Sequence, residues 1–282
     1  MMEWFMTSGI RIIVIIVIAL VIFFIFKFLI PKLIKRLITR RMAGEEETEI
    51  DKRTTTLSSI LVNVVGIVIA VIAIITILPE FGINIATLIA ALGIGGLAIA
   101  FAAQNLVRDF ITGFFILFED QYRVGDVVTI AGISGLVDEI GLRRTMLRDL
   151  DGNVHSIPNG KVEISTNMTK KFSRVHMDIS VGYGEKLERV MEVINDICKE
   201  MAEDPKWKPD IVTPPAVVRV NKLGDSGIDI KVMGDTKPGR QWDVMGELRL
   251  RIKTTFDEKG IEIPWPHTKI YFGNAPTNPS KN

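Results

Sequence analysis

Three long stretches without one charged side chain crowd the first third of the sequence, and they constrain its fold more than anything that follows. Residues 12–26 read IIVIIVIALVIFFIF, residues 54–78 contain a single strongly polar amide, Asn63, and residues 81–107 form a third uncharged run. A bilayer core about 30 Å thick is crossed by roughly 20 apolar residues rising about 1.5 Å each. The runs are therefore read as three membrane spans, at about residues 9–30, 57–78 and 84–104. A secretory leader also joins a charge to an apolar core. Here the first core is long, no small-x-small cleavage site follows it, and Pro31, Lys32, Lys35 and Arg36 come next, which favours a span.

The loops orient the spans. Residues 31–56 carry seven Lys/Arg, namely Lys32, Lys35, Arg36, Arg40, Arg41, Lys52 and Arg53, whereas residues 79–84 carry none. Positive charge stays inside, so the first loop is expected in the cytoplasm, the N-terminus outside, and everything after the third span inside, at the cell (inner) membrane. The lone Cys198 allows no intramolecular disulfide, in keeping with a reducing compartment. It is read as a small residue packed on a helix.

From residue 119 the texture changes. Residues 119–174 hold short Val/Ile/Thr-rich runs separated by Gly125-Asp126, Ala131-Gly132, Asp151-Gly152 and Asn159-Gly160. Asp-Gly and Asn-Gly pairs are hairpin signals because type I′ turns need positive φ at both central residues, and a small β-barrel or curled sheet follows. Residues 175–266 read strand, helix, two strands, helix, strand, with Leu187, Val190, Met191, Ile194 and Ile197 at helical spacing and Gly260 as a stop. An α+β layer with helices on one face is expected. Residues 267–282 hold a strand-like KIYFG and a Pro/Asn tail.

Function classes narrow by exclusion. Residues 119–282 carry 24 Lys/Arg against 25 Asp/Glu, so no basic excess exists to grip nucleic acid. His155, His176 and His267 are scattered, with no second ligand at metal spacing, and neither metal nor cofactor is expected. Asn167 opens a glycosylation sequon that would be silent in the cytoplasm. Gly93, Gly95, Gly96 and Ala98 fit a dinucleotide-binding pattern, but that pattern has meaning only after a strand. Here it lies inside an uncharged helical run, and no enzyme is read from it.

The third span carries the argument instead. In LGIGGLAIAFAA, residues 92–103, seven of twelve residues are Gly or Ala, yet Leu97 and Phe101 stay bulky one turn apart. Small residues let helix backbones approach in lipid. Gly93, Gly96 and Ala100 form one small stripe, while Ala91, Ala98 and Ala102 fall off it, so the helix can pack against two neighbours. Three spans cannot enclose an aqueous pore, but a ring of identical subunits can. Leu97 and Phe101 could then face the axis as two apolar collars that stop ions by dewetting, or pack against other spans. Spacing alone leaves both open. Gln104 and Asn105 close the apolar helix. In residues 106–118 the side chains of Leu106, Val107, Phe110, Ile111, Phe114, Phe115, Leu117 and Phe118 fill one half, with Arg108, Asp109 and Thr112 opposite and Ile116 as the exception. That second helix is expected to lie at the membrane interface, with Gly113 as a further flexible point.

At this point the sequence resembles the small-conductance mechanosensitive channel family, through ALGIGGLAIAFAAQN, FEDQYRVGDVV, LRDLDGNVHSIPNGK and GIEIPWP in that order. The resemblance implies a homoheptameric ring with three transmembrane helices per subunit and a pore-lining third helix. Beneath it would hang a cytoplasmic Sm/SH3-like β domain, a ferredoxin-like α+β domain and a C-terminal strand, forming a cage. It implies tension gating with low-selectivity release of ions and small osmolytes on hypo-osmotic shock. The partners would be further copies of the chain, membrane lipids and the permeating solutes. Carried over by position, the pore constriction falls on Leu97 and Phe101, the helix-packing positions on Ala90, Gly93, Ile94, Gly96, Ala98 and Ala100, and the hinge on Gln104, Asn105 and Gly113. Phe101 stands where a leucine is usual, Asn105 where the kink glycine is usual, Ile94 where a small alanine is usual and Ala100 where a glycine is usual. A membrane-anchored Sm-like binding module, centred on residues 122–160, is the alternative reading.

Overall fold

The computed structural model describes residues 8–41, 47–266 and 268. It resolves into two compact units, one ending at Ala102 and the other beginning at Ala103. The expected KIYFG strand, the tail and His267 lie outside the described residues.

The first unit is helical. Helices α1 (Ile10–Arg41) and α2 (Glu47–Ile77) pack along one another, with Gly66 of α2 admitting the Phe23 ring: a Cβ there would lie 3.1 Å from that ring. A 3₁₀ turn, Leu78–Phe81, ends at Gly82 in the left-handed region, φ 76°, and leads to α3 (Ala86–Phe118). All three helices are long and apolar enough to cross a membrane. The helices exceed the apolar runs because charged, helix-forming residues continue them: α1 runs on through Pro31 and Lys32 to Arg41, and α2 starts among Glu47, Glu49 and Asp51.

One expectation needs correction. A span ending at residue 104 and a separate amphipathic helix from 106 are not two elements, because α3 is helical without interruption through Gln104, Asn105 and Gly113. Asn has only modest helix propensity, but it keeps its N–H and one residue of that kind does not break a ladder of good helix formers.

The second unit contains two sheets. Strands β1 (Val127–Ile130), β2 (Ile133–Ile140), β3 (Arg144–Arg148), β4 (Val154–Pro158) and β5 (Ser165–Asn167) form an antiparallel sheet in the order β4-β3-β2-β1-β5. Ala131 and Gly132, with φ 50° and 78°, make the two-residue turn between β1 and β2, both residues positive as a type I′ turn requires. The sheet closes over Val128, Ile130, Val137, Leu147, Ile157, Tyr122 and, from α3, Ile116. The lower end of the third helix thus belongs to the core of this β domain.

Strands β6 (Ser173–Val181), β7 (Ile211–Leu223) and β8 (Ile228–Thr236) form a second antiparallel sheet in the order β6-β8-β7. Helices α4 (Leu187–Glu203) and α5 (Gln241–Lys259) cover one face. Val190, Ile194, Ile197 and Met201 of α4 and Val244, Leu248, Ile252 and Phe256 of α5 meet Val175, Val181, Ile230 and Val232 in one core. Cys198 is part of it, and burial pushes its thiol up to about 12, so it packs as a small apolar residue. The last expected strand of this layer is not a ladder: residues 261–266 form no regular secondary structure, although Gly182 N–H donates to Glu262 O at 3.0 Å. Pro264 and Pro266 deprive that segment of two donors.

Candidate functional site: the third helix and its mount

Every residue from Ala86 to Ala102 is exposed in the single chain. At about 100° per residue, Leu97 and Phe101 share a face with Ala90, Ile94 and Gln104. Gly93, Gly96 and Ala100 flank that face on one side and Ala91, Ala98 and Ala102 on the other. Leu97, Phe101 and Ile94, three bulky apolar residues, therefore stand between two strips of small ones. Leu97 is 61% and Phe101 74% exposed, and a Cβ added at Gly93, Gly95 or Gly96 would meet nothing within 4 Å. Of the positions grouped as packing sites on the resemblance, Gly93, Gly96, Ala98 and Ala100 lie on the flanking strips, whereas Ala90 and Ile94 lie on the Leu97–Phe101 face.

Below Ala102 the surroundings reverse. Asp109, Gly113 and Ile116, spaced by four and three residues, are the buried residues of α3. Gly113 was read from sequence as flexible. In the structure it is a contact glycine, since a Cβ there would fall 1.9 Å from Leu142 O and 2.4 Å from Asn159 Nδ2. Gly160 answers it from the β domain: its Cβ would lie 2.6 Å from Asp109 Oδ1, and its N–H donates to that oxygen at 2.9 Å. Arg143 Nε stands 3.7 Å from the other carboxylate oxygen.

Asn159 holds this junction together. It is fully buried, and its Nδ2 donates to Gly141 O at 2.8 Å and Leu142 O at 2.9 Å. Its Oδ1 accepts from Thr145 Oγ1 at 2.9 Å, and Thr145 in turn lies 3.1 Å from the buried Tyr122 hydroxyl. Burial raises the Tyr122 pKa, which keeps the phenol neutral. The Asn-Gly pair expected as a hairpin signal is thus a 3₁₀ turn, Asn159–Lys161. It fixes the loop between β2 and β3 against α3, and Gly160 is there for space, since its φ is not positive.

Sequence reasoning missed Asp109, Ile116, Asn159 and Gly160 as one constellation. The available signal was Ile116, an apolar residue on the polar half of its helix. That half docks on the β domain, while Leu106, Val107, Phe110, Ile111, Phe114, Phe115, Leu117 and Phe118 remain exposed.

The other singled-out side chains have structural partners. His155 Nε2 lies 2.8 Å from Asp149 Oδ2 at the β3–β4 turn, where hydrogen bonds from His155 and Asn153 hold the Asp149 carboxyl down to about 2. His176 Nε2 lies 3.0 Å from the buried Lys231 ammonium, which also donates to Asp178 at 2.7 Å. Asn167 donates to Asp126 Oδ2 at 2.7 Å and accepts from Thr169 N–H. Among the described residues no group of three or more His, Cys, Asp or Glu could hold a metal.

Comparison with known proteins assigns this arrangement. The transmembrane helices 2/3 of the mechanosensitive ion channel match residues 56–104, its beta-domain residues 105–170, and the MscS C-terminal region residues 175–263. The chain belongs to the MscS family of mechanosensitive channels. It is 40% identical over 227 residues to the small-conductance mechanosensitive channel of Caldanaerobacter subterraneus subsp. tengcongensis, covering 80% of this chain and 79% of that one. It is 34% identical over 235 residues to the large-conductance mechanosensitive channel MscMJLR of Methanocaldococcus jannaschii, covering 79% and 62%. Among solved structures, that of closed-state Helicobacter pylori MscS aligns with TM-score 0.66 and 25% identity, over 93% of this chain and 99% of that one. The three helices, the β sheet and the α+β layer are those of an MscS-type membrane channel.

Proposed function

We propose that the chain forms a homoheptameric channel, gated by membrane tension, that releases ions and small osmolytes with low selectivity on hypo-osmotic shock. The observation that carries this reading is the uncovered stretch of α3. A helix whose Leu97, Phe101 and Ile94 stand between two small-residue strips, and which no described residue of its own chain covers, fits a closed ring of identical helices. In that ring Leu97 and Phe101 form successive apolar collars, and a narrow apolar collar blocks ions by dewetting. Tension favours the state of larger in-plane area, in which the helices have moved apart and the collars have wetted. The Phe101 ring gives the second collar more apolar surface than a leucine would. The charge of residues 31–56 supports an N-terminus outside the cell and a cytoplasmic position for residues 119–282, in the cell membrane.

Patch recording from liposomes that contain only this protein tests the reading. Stepwise currents under suction are expected, and Leu97→Ser or Phe101→Ser should open at lower suction or leak at rest. Silence of the unmodified protein up to membrane rupture sinks the proposal, and unchanged gating in both variants removes the collars from it.

A further inference from the structure

The charged end of the α1–α2 pair lies outside the α3 stretch proposed to line the pore, and its side chains are arranged unevenly. Helix α1 has 32 residues, about 48 Å at about 1.5 Å each, against a hydrocarbon core of about 30 Å. Its uncharged run ends at Ile30 apart from Lys27, and the turns from Pro31 onward carry Lys32, Lys35 and Arg36. Those turns stand at the depth of the lipid headgroups. Lys35 is turned to α2, its Nζ 2.9 Å from Asp51 Oδ1. Lys32 and Arg36, one turn apart on another side, are exposed and have no ion-pair partner among the described residues.

Between them lies a groove of about 650 Å³ lined by Leu29, Lys32, Leu33, Lys35, Arg36 and Thr39. Leu29 and Leu33, 45% and 49% exposed, form its apolar strip, with Leu29 on the side of the bilayer core and Leu33 between the two cations. A soluble phosphate would satisfy the two cations and leave the leucines bare; a plain acyl chain would do the reverse. We propose that this groove holds an anionic phospholipid, its phosphate on Lys32 and Arg36 and an acyl chain along Leu29 and Leu33. A net negative headgroup is required, because the ammonium of a zwitterionic one would face the same cations. The inference rests on the membrane placement of α1 and on no feature of gating.

The test uses the full chain reconstituted in phosphatidylcholine vesicles containing a minor fraction of phosphatidylglycerol, then extracted in mild detergent. Mass spectrometry counts the lipids retained per subunit. A juxtamembrane cation contributes about 1 kcal/mol of attraction, so the affinity for phosphatidylglycerol should fall about fivefold for each charge removed in Lys32→Gln and Arg36→Gln. The pair Lys32→Arg with Arg36→Lys should retain it. Lys52→Gln removes the same charge from α2, outside the groove, and should leave retention unchanged, as should every variant for phosphatidylcholine. Unchanged phosphatidylglycerol in the double Gln variant overturns the proposal. So does an equal loss in Lys52→Gln, which makes the attraction general, and so does parallel loss of phosphatidylcholine. A changed oligomer size with unchanged lipid assigns the groove to a second copy of the chain and overturns it too. None of these readings measures current, so failure here leaves the channel reading standing, and a silent channel leaves the lipid count standing.

Discussion

Gly96 and Gly113 occupy the same helix, yet only one of them is pressed against anything. A side chain at Gly96 would meet open space, whereas one at Gly113 would overlap the Leu142 carbonyl at 1.9 Å. In the channel proposed above, the upper half of α3 keeps its small residues for neighbours that are other copies of the chain. The lower half has already used its small residue, together with Asp109 and Ile116, to seat the β domain. A glycine in a membrane channel thus has one of two separable meanings: space kept for a moving interface between subunits, or space consumed by a fixed contact within one.

The largest effect expected from this comparison is at the fixed contact. Gly113→Ala must displace either the Leu142 backbone or the buried Asn159 amide, and the lost contacts and hydrogen bonds together should destabilise the chain by about 2–5 kcal/mol. Thermal unfolding of the purified protein reads this directly. An unchanged melting temperature would mean that α3 and the β domain are not seated as described, and the comparison would collapse.

Asp109→Ala comes next. It leaves the Gly160 N–H without its acceptor, a charge-assisted bond worth about 1.5–3 kcal/mol, while the Arg143 pair contributes little, since that arginine is 60% exposed. Asp109→Asn keeps an acceptor oxygen and should recover most of the loss. Equal damage from both would show that charge, and not the hydrogen bond, holds the mount.

Gly96→Ala is expected to act with the opposite sign on stability. Alanine is better than glycine by about 1 kcal/mol in a helix interior, and within one subunit nothing opposes the new methyl group. The melting temperature should hold or rise slightly. If the proposed ring forms, the suction needed to open the channel should nevertheless shift, because the methyl group is then met only across the subunit interface. A destabilised protein would place Gly96 in the same category as Gly113 and remove the distinction between the halves.

Much of this was legible in the residues themselves. Hydropathy runs gave the three spans, because length and charge are enough to mark a bilayer crossing, and the helical period of residues 187–197 gave the buried face of α4. The Ala131-Gly132 pair was legible as a break between strand-like runs, whereas its two positive φ values emerge only in the structure. The mount was not legible, and the reason is physical. Asp109 and Gly160 are 51 positions apart, and a long-range contact between a carboxylate and a backbone N–H leaves no periodic trace. Asn159-Gly160 does form a turn, but not for the reason that marked it: neither residue has positive φ, and Gly160 makes room for Asp109. Residues 106–118 were expected to lie at the membrane interface from their two-sided pattern, and a helix wheel cannot show that the polar half docks on a protein surface.

The hinge is where the comparison is tested most finely. Helix α3 runs unbroken through Asn105, which lies between the uncovered half and the seated one. Replacing it by glycine costs only about 0.3 kcal/mol of intrinsic propensity, so global stability should barely change. Local opening should still become easier on the upper side, which lacks the hydrogen bond and close contacts that Asp109, Gly113 and Ile116 make. Hydrogen exchange followed by mass spectrometry should show up to about twofold faster exchange in residues 101–108 of Asn105→Gly. Residues 109–118 should exchange as before, since Asp109, Gly113 and Ile116 tie them to the β domain. Faster exchange spread evenly over both halves would mean that α3 opens as one body, and the boundary drawn at Asn105 would have no mechanical meaning. Faster exchange confined to the upper half makes the seated half the fixed end against which any movement of the proposed Leu97 and Phe101 collars is made.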